Sequence, residues 1–281
     1  MIVVTGATGN VGRPLVQALV AAGEQVTAVS RGITASDVPA GVRHHQADMA
    51  DMADMADAEG LGPVLEGADA LFLLTSGDLV LAGGHVHGVL EAARAGGVRR
   101  VVLLSSQGVG TQRHPSDYED AVKESAPEWT LLRPGGFASN AFLWAEQVRG
   151  RRAVTAPFGD TALPVIDPAD IAEVAAAALS ETGHAGATYV LTGPAPVTPR
   201  QQAAAIGDAV GETVRFVEQS RAEAREQMVR FMPAQVVDAT LAILGTPSAD
   251  EQRVSPDVER VIGRPPRTFA EWAARNAAAF K

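Results

Sequence analysis

The chain has 281 residues and no cysteine, with 46% hydrophobic and 20% charged residues and a formal net charge of −10. That balance suits a soluble globular protein with a sizeable core, in one large domain or two coupled lobes. It excludes a disulfide framework, a thiolate metal site and a thiol nucleophile, and the acidic balance argues against attraction to nucleic-acid backbones or anionic lipid.

Met1 to Gly6 reads as a strand running into a turn rather than a signal peptide. No apolar run reaches the length of a membrane span, and the lack of cysteine fits a cytoplasmic protein.

Ile2–Thr5 is a short apolar run of the kind found in buried parallel strands. The turn TGATGNVGR follows, with Gly6, Gly9 and Gly12 three residues apart. Val11, Leu15, Ala18, Leu19 and Ala22 then fall at helical spacing up to Gly23. QVTAVSR is the second strand, which completes a unit of βαβ size. VRHHQAD and ALFLLT read as the third and fourth strands. LVLAGGHVHGVLEAARAGG reads as a helix, VRRVVLLSS as the fifth strand, residues 116–126 as a helix, and WTLLRP as the sixth strand. This alternation predicts an α/β, Rossmann-type doubly wound parallel sheet over residues 1–150.

Beyond Gly150 prolines punctuate shorter elements, and residues 151–281 read as a smaller, mostly helical substrate lobe, with the ligand expected in a cleft between the lobes. Its helix starts are marked by Asp167 with Pro168, Thr198 with Pro199 and Gln201, Ser220 with Glu223, and Thr268 with Glu271. The helical stretch 233–245 is apolar enough to hide a homodimer face. DMADMADMAD, residues 48–57, has a period that matches neither a helix nor a strand, and reads as a tolerated expansion.

A strand, a glycine turn and a helix together make an anion site. The helix N-terminus presents backbone amides and partial positive charge, and glycine lets the main chain approach a pyrophosphate. The turn residues Gly6, Thr8, Gly9, Asn10, Val11, Gly12 and Arg13 are therefore candidate dinucleotide contacts. An NAD-specific site ends the second strand in an acid that binds the ribose hydroxyls. Here that strand ends in Ser30 and Arg31. Arg31 and Arg13 are either solvated charges or a clamp on a 2′-phosphate, and the second reading makes NADPH (NADP) the cofactor. Asp48 after the third strand is placed for the adenine amino group or for a helix cap. Thr75, Ser76 and Ser105 sit at strand ends that face a cofactor in this fold.

TGATGNVG, VVLLSS, WTLLRPGGFASN, DPADIAEVAAAAL and GRPPRTFAEWAARNAAAF together resemble the NmrA-like group of atypical short-chain dehydrogenase/reductases, over nearly the whole chain. The resemblance implies a Rossmann core and a bound dinucleotide. The group includes NADPH-dependent quinone, azo and triphenylmethane-dye reductases, and also redox-sensing regulators that bind the dinucleotide without turnover.

Typical short-chain dehydrogenases use a Ser and a Tyr-x-x-x-Lys pair as a proton relay. Here Ser105 and Ser106 sit at the expected strand end, but Tyr118 and Lys123 are five residues apart, so their side chains diverge by roughly 140° around a helix. The position where relatives carry Lys or His aligns with Pro115, and Glu119 lies four residues later. The usual relay is thus expected to be absent, with Tyr118 at most a lone hydrogen-bond donor.

The candidate residues around an acceptor are Ser106, Gln107, Tyr118, Phe137 and Asn140. Phe137 either stacks on a flat acceptor or packs in the core. The six histidines form no metal set. The leading expectation is an NADPH-dependent oxidoreductase that passes hydride to a small conjugated acceptor, a quinone, azo or enone-like compound. The alternative is a non-catalytic NADP(H)-binding redox sensor acting through a protein partner.

Overall fold

The structure of the protein, a computed structural model, describes residues 1–47, 58–74 and 86–281. Its strands are β1 (Ile2–Thr5), β2 (Val26–Ser30), β3 (Arg43–Gln46), β4 (Ala70–Leu74), β5 (Arg100–Leu104), β6 (Glu128–Pro134), β7 (Ala153–Ala156), β8 (Ala187–Leu191) and β9 (Arg215–Glu218). Its helices in the first half are α1 (Gly12–Ala21), α2 (Ala58–Leu65), α3 (His87–Ala95), α4 (Gln107–Gly110), α5 (Asp117–Ser125) and α6 (Ala145–Arg151). The second half adds α7 (Pro168–Ser180), α8 (Pro199–Val210), α9 (Arg221–Met228), α10 (Ala234–Gly245), α11 (Ala249–Gln252), α12 (Asp257–Ile262) and α13 (Phe269–Arg275).

The chain forms two compact units, one of residues 1–134, 168–190 and 260–263, the other of residues 135–167, 191–259 and 264–281. The first holds a seven-stranded sheet in the order β3-β2-β1-β4-β5-β6-β8. β1 pairs in parallel with both β2 and β4, and the parallel pairing continues through β5 to β6. The apolar runs of β1, β4 and β5 are buried along almost their whole length, as strands covered on both faces must be. α2, α3 and α5 pack into one layer whose core includes Leu61, Leu65, Leu90 and Val122. α1 packs against α7, where a run of buried alanines lets the two helices approach closely. These features are the Rossmann-type α/β fold expected from the alternation.

The order reverses at β1, whose neighbours are β2 and β4, and that is the point where open α/β sheets bind ligands, beyond the carboxyl ends of the strands. Buried Thr5 marks it. Its hydroxyl donates to the Phe72 carbonyl at 2.9 Å and accepts the Leu74 amide at 2.8 Å, so a side chain continues the bonding where the main-chain pairing of β1 with β4 ends at Val4 and Phe72.

β8, though it follows a long excursion, joins the edge of this sheet. The Gly186 amide donates to the Trp129 carbonyl at 2.7 Å.

The second unit contains the parallel pair β7 and β9, with helices around a core of Ile206, Phe269, Trp272 and Phe280. The capping boxes expected at Thr198 with Gln201, Ser220 with Glu223 and Thr268 with Glu271 are formed, and Ser248 with Glu251 forms another. Arg275 on α13 binds the carboxylate of buried Asp167. That ion pair links the DPAD and AARN stretches, 108 residues apart in sequence. In α10, Val237 and Leu241 turn inward while Val236 and Leu244 remain exposed. Among the described residues no helix is long and apolar enough to cross a membrane.

Candidate cofactor and active site

The glycine turn lies at the carboxyl end of β1, and Gly6 and Gly12 are required there by conformation and space. Gly6 has φ +63°, a left-handed conformation that side chains disfavour. A Cβ on Gly12 would strike the Gly6 carbonyl oxygen and stand 2.8 Å from the Ala7 Cα. Gly9 closes the turn by donating its amide to the Gly6 carbonyl at 2.9 Å. α1 then begins without side-chain help. Its N-cap is Val11, which makes no capping bond, and its first turn carries no acid. α8, α9 and α13 are capped by Thr or Ser, while α3, α6 and α10 share with α1 an N-cap without a side-chain bond. An uncapped N-terminus above a glycine cradle fits a diphosphate, which would supply the missing acceptors.

Thr8 and Ser30 join the turn to the end of β2 by a hydroxyl contact of 2.8 Å. The Arg13 guanidinium reaches back to the Thr8 carbonyl at 3.5 Å, and Arg31 follows Ser30 directly. Asp37, just beyond, is occupied as the partner of Thr34, whose hydroxyl and amide hydrogen bonds hold its carboxyl below the usual range. Asn10 is exposed. Asp48, Thr75 and Ser76 lie outside the described residues.

At the end of β5 the two serines differ. Ser105 donates its hydroxyl to Glu119 at 2.6 Å. Ser106 caps α4, its oxygen accepting the Gly108 amide at 3.0 Å, so its own hydrogen remains to be donated. Gln107 is the first residue of α4.

On α5, Tyr118 packs against the core of the first unit, and burial with the neighbouring Asp117 charge raises its pKa. Lys123 is committed to Asp120 at 3.3 Å and stands 3.7 Å from Glu119.

In the second unit, Phe137 is half-buried, its backbone bridged to Ile166, and Asn140 is exposed in the 3-10 turn that follows. Among the described residues no group of three or more His, Asp or Glu side chains can hold a metal ion.

Two residues not singled out by motif are central to the geometry. Buried Glu119 takes Arg133 in a two-point ion pair, from Nε at 2.8 Å and from Nη2 at 2.6 Å. Each carries a signal in the sequence. Glu119 lies three residues before buried Val122, on the core face of α5, and Arg133 follows directly on the buried apolar pair Leu131 and Leu132 of β6.

A family model described as NAD(P)H-binding matches residues 6–182. A (4-alkanoyl-5-oxo-2,5-dihydrofuran-3-yl)methyl phosphate reductase of Streptomyces griseus is 36% identical over 302 aligned positions, covering 100% of this chain and 99% of that protein. An NAD(P)H azoreductase of Xenophilus azovorans is 32% identical, covering 100% and 99%. The structure of an NADPH-dependent quinone oxidoreductase from Escherichia coli, complexed with NADPH, superposes with a TM-score of 0.79 at 26% identity, covering 98% and 99%. These two whole-length relatives above 30% identity are reductases, which favours an enzyme over a non-catalytic sensor. With the glycine turn and the sheet order they converge on one assignment: the chain belongs to the NAD(P)H-binding family, with whole-length reductases among its relatives.

Proposed function

We propose that the chain is an NADPH-preferring reductase of a small, electrophilic, conjugated acceptor. The feature that carries the cofactor preference is the end of β2, where Ser30 and Arg31 stand in place of the acid of an NAD-specific site, with the Thr8–Ser30 contact tying that end to the turn that carries Arg13. Two arginines there suit the 2′-phosphate of NADP. The acceptor class follows from the groups named in the relatives: an azo bond, a quinone and an unsaturated oxo-dihydrofuran are all conjugated systems ready to take a hydride.

Bound NADPH supplies that hydride. The protein's share is positioning. Gly6, Gly9 and Gly12 hold the turn close to the diphosphate, and the first amides of α1 bind it. Ser106, with its oxygen already engaged by the Gly108 amide, donates its hydroxyl hydrogen to the acceptor. Gln107 stands beside it. Tyr118, turned into the core, takes no part as a proton donor, and Lys123 is spent on acidic neighbours, so water provides the proton. Small conjugated acceptors tolerate this because the reduced anion is stabilised by delocalisation.

The test is NADPH consumption with a panel of quinones, azo dyes and enones, run beside NADH. Acceptor-dependent turnover that prefers NADPH supports the reading. Equal use of NADH removes the phosphate clamp and leaves the reductase. Tight NADP(H) binding without turnover on any acceptor overturns the activity.

A further inference from the structure

The ion pair between Glu119 and Arg133 is placed and oriented for more than anchoring a helix. Glu119 is 1% exposed. Its Oε1 accepts from Ser105 as well as from Arg133 Nε, and its Oε2 accepts from Arg133 Nη2. Burial pushes the Glu119 pKa up, but the bonds from Arg133 and Ser105 and the charges of Arg133 and Lys123 outweigh it and hold the carboxyl below its ordinary value. The pair is therefore ionised on both sides at neutral pH.

A helix can be pinned to a sheet by apolar contacts without desolvating two charges. What the ion pair adds is a guanidinium fixed in one orientation. Nε and Nη2 are spent on Glu119, while Nη1 has no hydrogen-bond partner among the described residues. That nitrogen lies beside Gly110 on α4, where a Cβ would stand 3.0 Å away and crowd it, so a glycine there leaves the guanidinium its room. The Arg133 side chain is 22% exposed. Arg133 is the penultimate residue of β6, at the carboxyl end of the sheet, one strand over from Ser105 and Ser106.

We propose that Arg133 is a catalytic residue whose Nη1 edge donates to the acceptor oxygen on which negative charge collects, and that Glu119 is the positioning residue that aims it. The inference rests on the reductase reading above. Hydride adds to the electrophilic carbon of a quinone or enone. The displaced electron pair moves through the conjugated system onto the carbonyl oxygen. Nη1–H donates a hydrogen bond to that oxyanion, and water supplies the proton that completes the two-electron reduction. Arg133 stays protonated throughout.

The experiment compares wild type with Arg133→Ala, Arg133→Lys and Glu119→Gln. It reads NADPH affinity without acceptor, kcat and KM with a quinone, thermal midpoint, and rescue by added guanidinium ion. Arg133→Ala is expected to lower kcat roughly 100- to 1,000-fold, as losing an oxyanion donor does, with NADPH affinity nearly unchanged and partial rescue by guanidinium but not by urea. Arg133→Lys and Glu119→Gln are expected to lose kcat by about tenfold, through lost aim rather than lost charge.

A second measurement needs no turnover. 4-Nitrophenol is titrated on the NADP-loaded protein; wild type is expected to lower its apparent pKa and Arg133→Lys to lower it less. Failure of wild type to turn over any acceptor would count against the reductase reading, while this titration still decides on Arg133. Folded Arg133 variants with wild-type kcat, loss without rescue accompanied by equal loss of NADPH affinity, or a phenol pKa unmoved by wild type would each overturn the proposal.

Discussion

Gly12→Ala tests the turn most directly. A Cβ at residue 12 falls on the Gly6 carbonyl oxygen and within 2.8 Å of both the Gly6 carbonyl carbon and the Ala7 Cα. All are backbone atoms of the turn, so no side chain can swing aside; the turn or the start of α1 must move. Overpacking of this kind costs about 1–3 kcal/mol, against which alanine's better helix propensity returns at most about 1 kcal/mol. The displaced amides are those assigned to the diphosphate. Losing one charge-assisted hydrogen bond costs about 1.5–3 kcal/mol, which corresponds to an NADPH affinity about 10- to 150-fold weaker. Gly62→Ala is the control: a Cβ there, in α2, meets nothing within 4 Å. The assay is a fluorescence titration of NADPH beside a urea melt. Gly12→Ala with wild-type NADPH affinity would refute the placement of the diphosphate on this turn.

Three further outcomes follow from the same structure. Arg13→Ala and Arg31→Ala should each weaken NADPH binding by about 10-fold or more, the worth of a charge-assisted bond, and leave NADH binding unchanged; equal losses for both dinucleotides would remove the clamp. Glu119 has a folded-state pKa held below its unfolded value, so its contribution to stability is present above the unfolded carboxylate pKa and is lost as pH falls through the folded one. Urea midpoints measured from about pH 6 down to about pH 3 should therefore fall more steeply for wild type than for Glu119→Gln, and parallel curves would contradict this. Phe158 holds φ +58° and lays its ring over Gly245, where a Cβ would be 2.6 Å from a ring carbon. Gly245→Ala should lower stability by about 1–3 kcal/mol despite sitting in a helix, and an unchanged thermal midpoint would show that the ring moves freely.

Much of the first unit was legible in the chain because its signals are local. β1, the glycine turn and α1 occupy a continuous stretch, and Gly12 is dictated by atoms a few residues away in Gly6 and Ala7, whereas the side chain that crowds Gly6, Leu74, comes from β4. The capping boxes at Thr198, Ser220 and Thr268 span three residues each, so residue type and spacing sufficed. The divergence of Tyr118 from Lys123 was equally a matter of helical angle, and the two side chains do face different surroundings, one the core and the other a pair of carboxylates.

Tertiary structure alone decided what depends on distant segments meeting. Ser105, Glu119 and Arg133 are separated by 14 residues at each step and converge only because β5 and β6 pair while α5 folds back over them. A lone glutamate on the core face of a helix is a warning in the sequence, but its partner cannot be named until the strands are in register. β8 lies in the stretch read as a mostly helical second lobe, and only the assembled sheet supplies the free edge beside β6 that receives it. Asp167 reads as a helix start, and only the return of the C-terminal helix brings Arg275 to it. Periodicity and spacing record what neighbouring residues impose on one another. Which buried charge meets which is set by chain entropy spent over long loops, and that leaves no local trace.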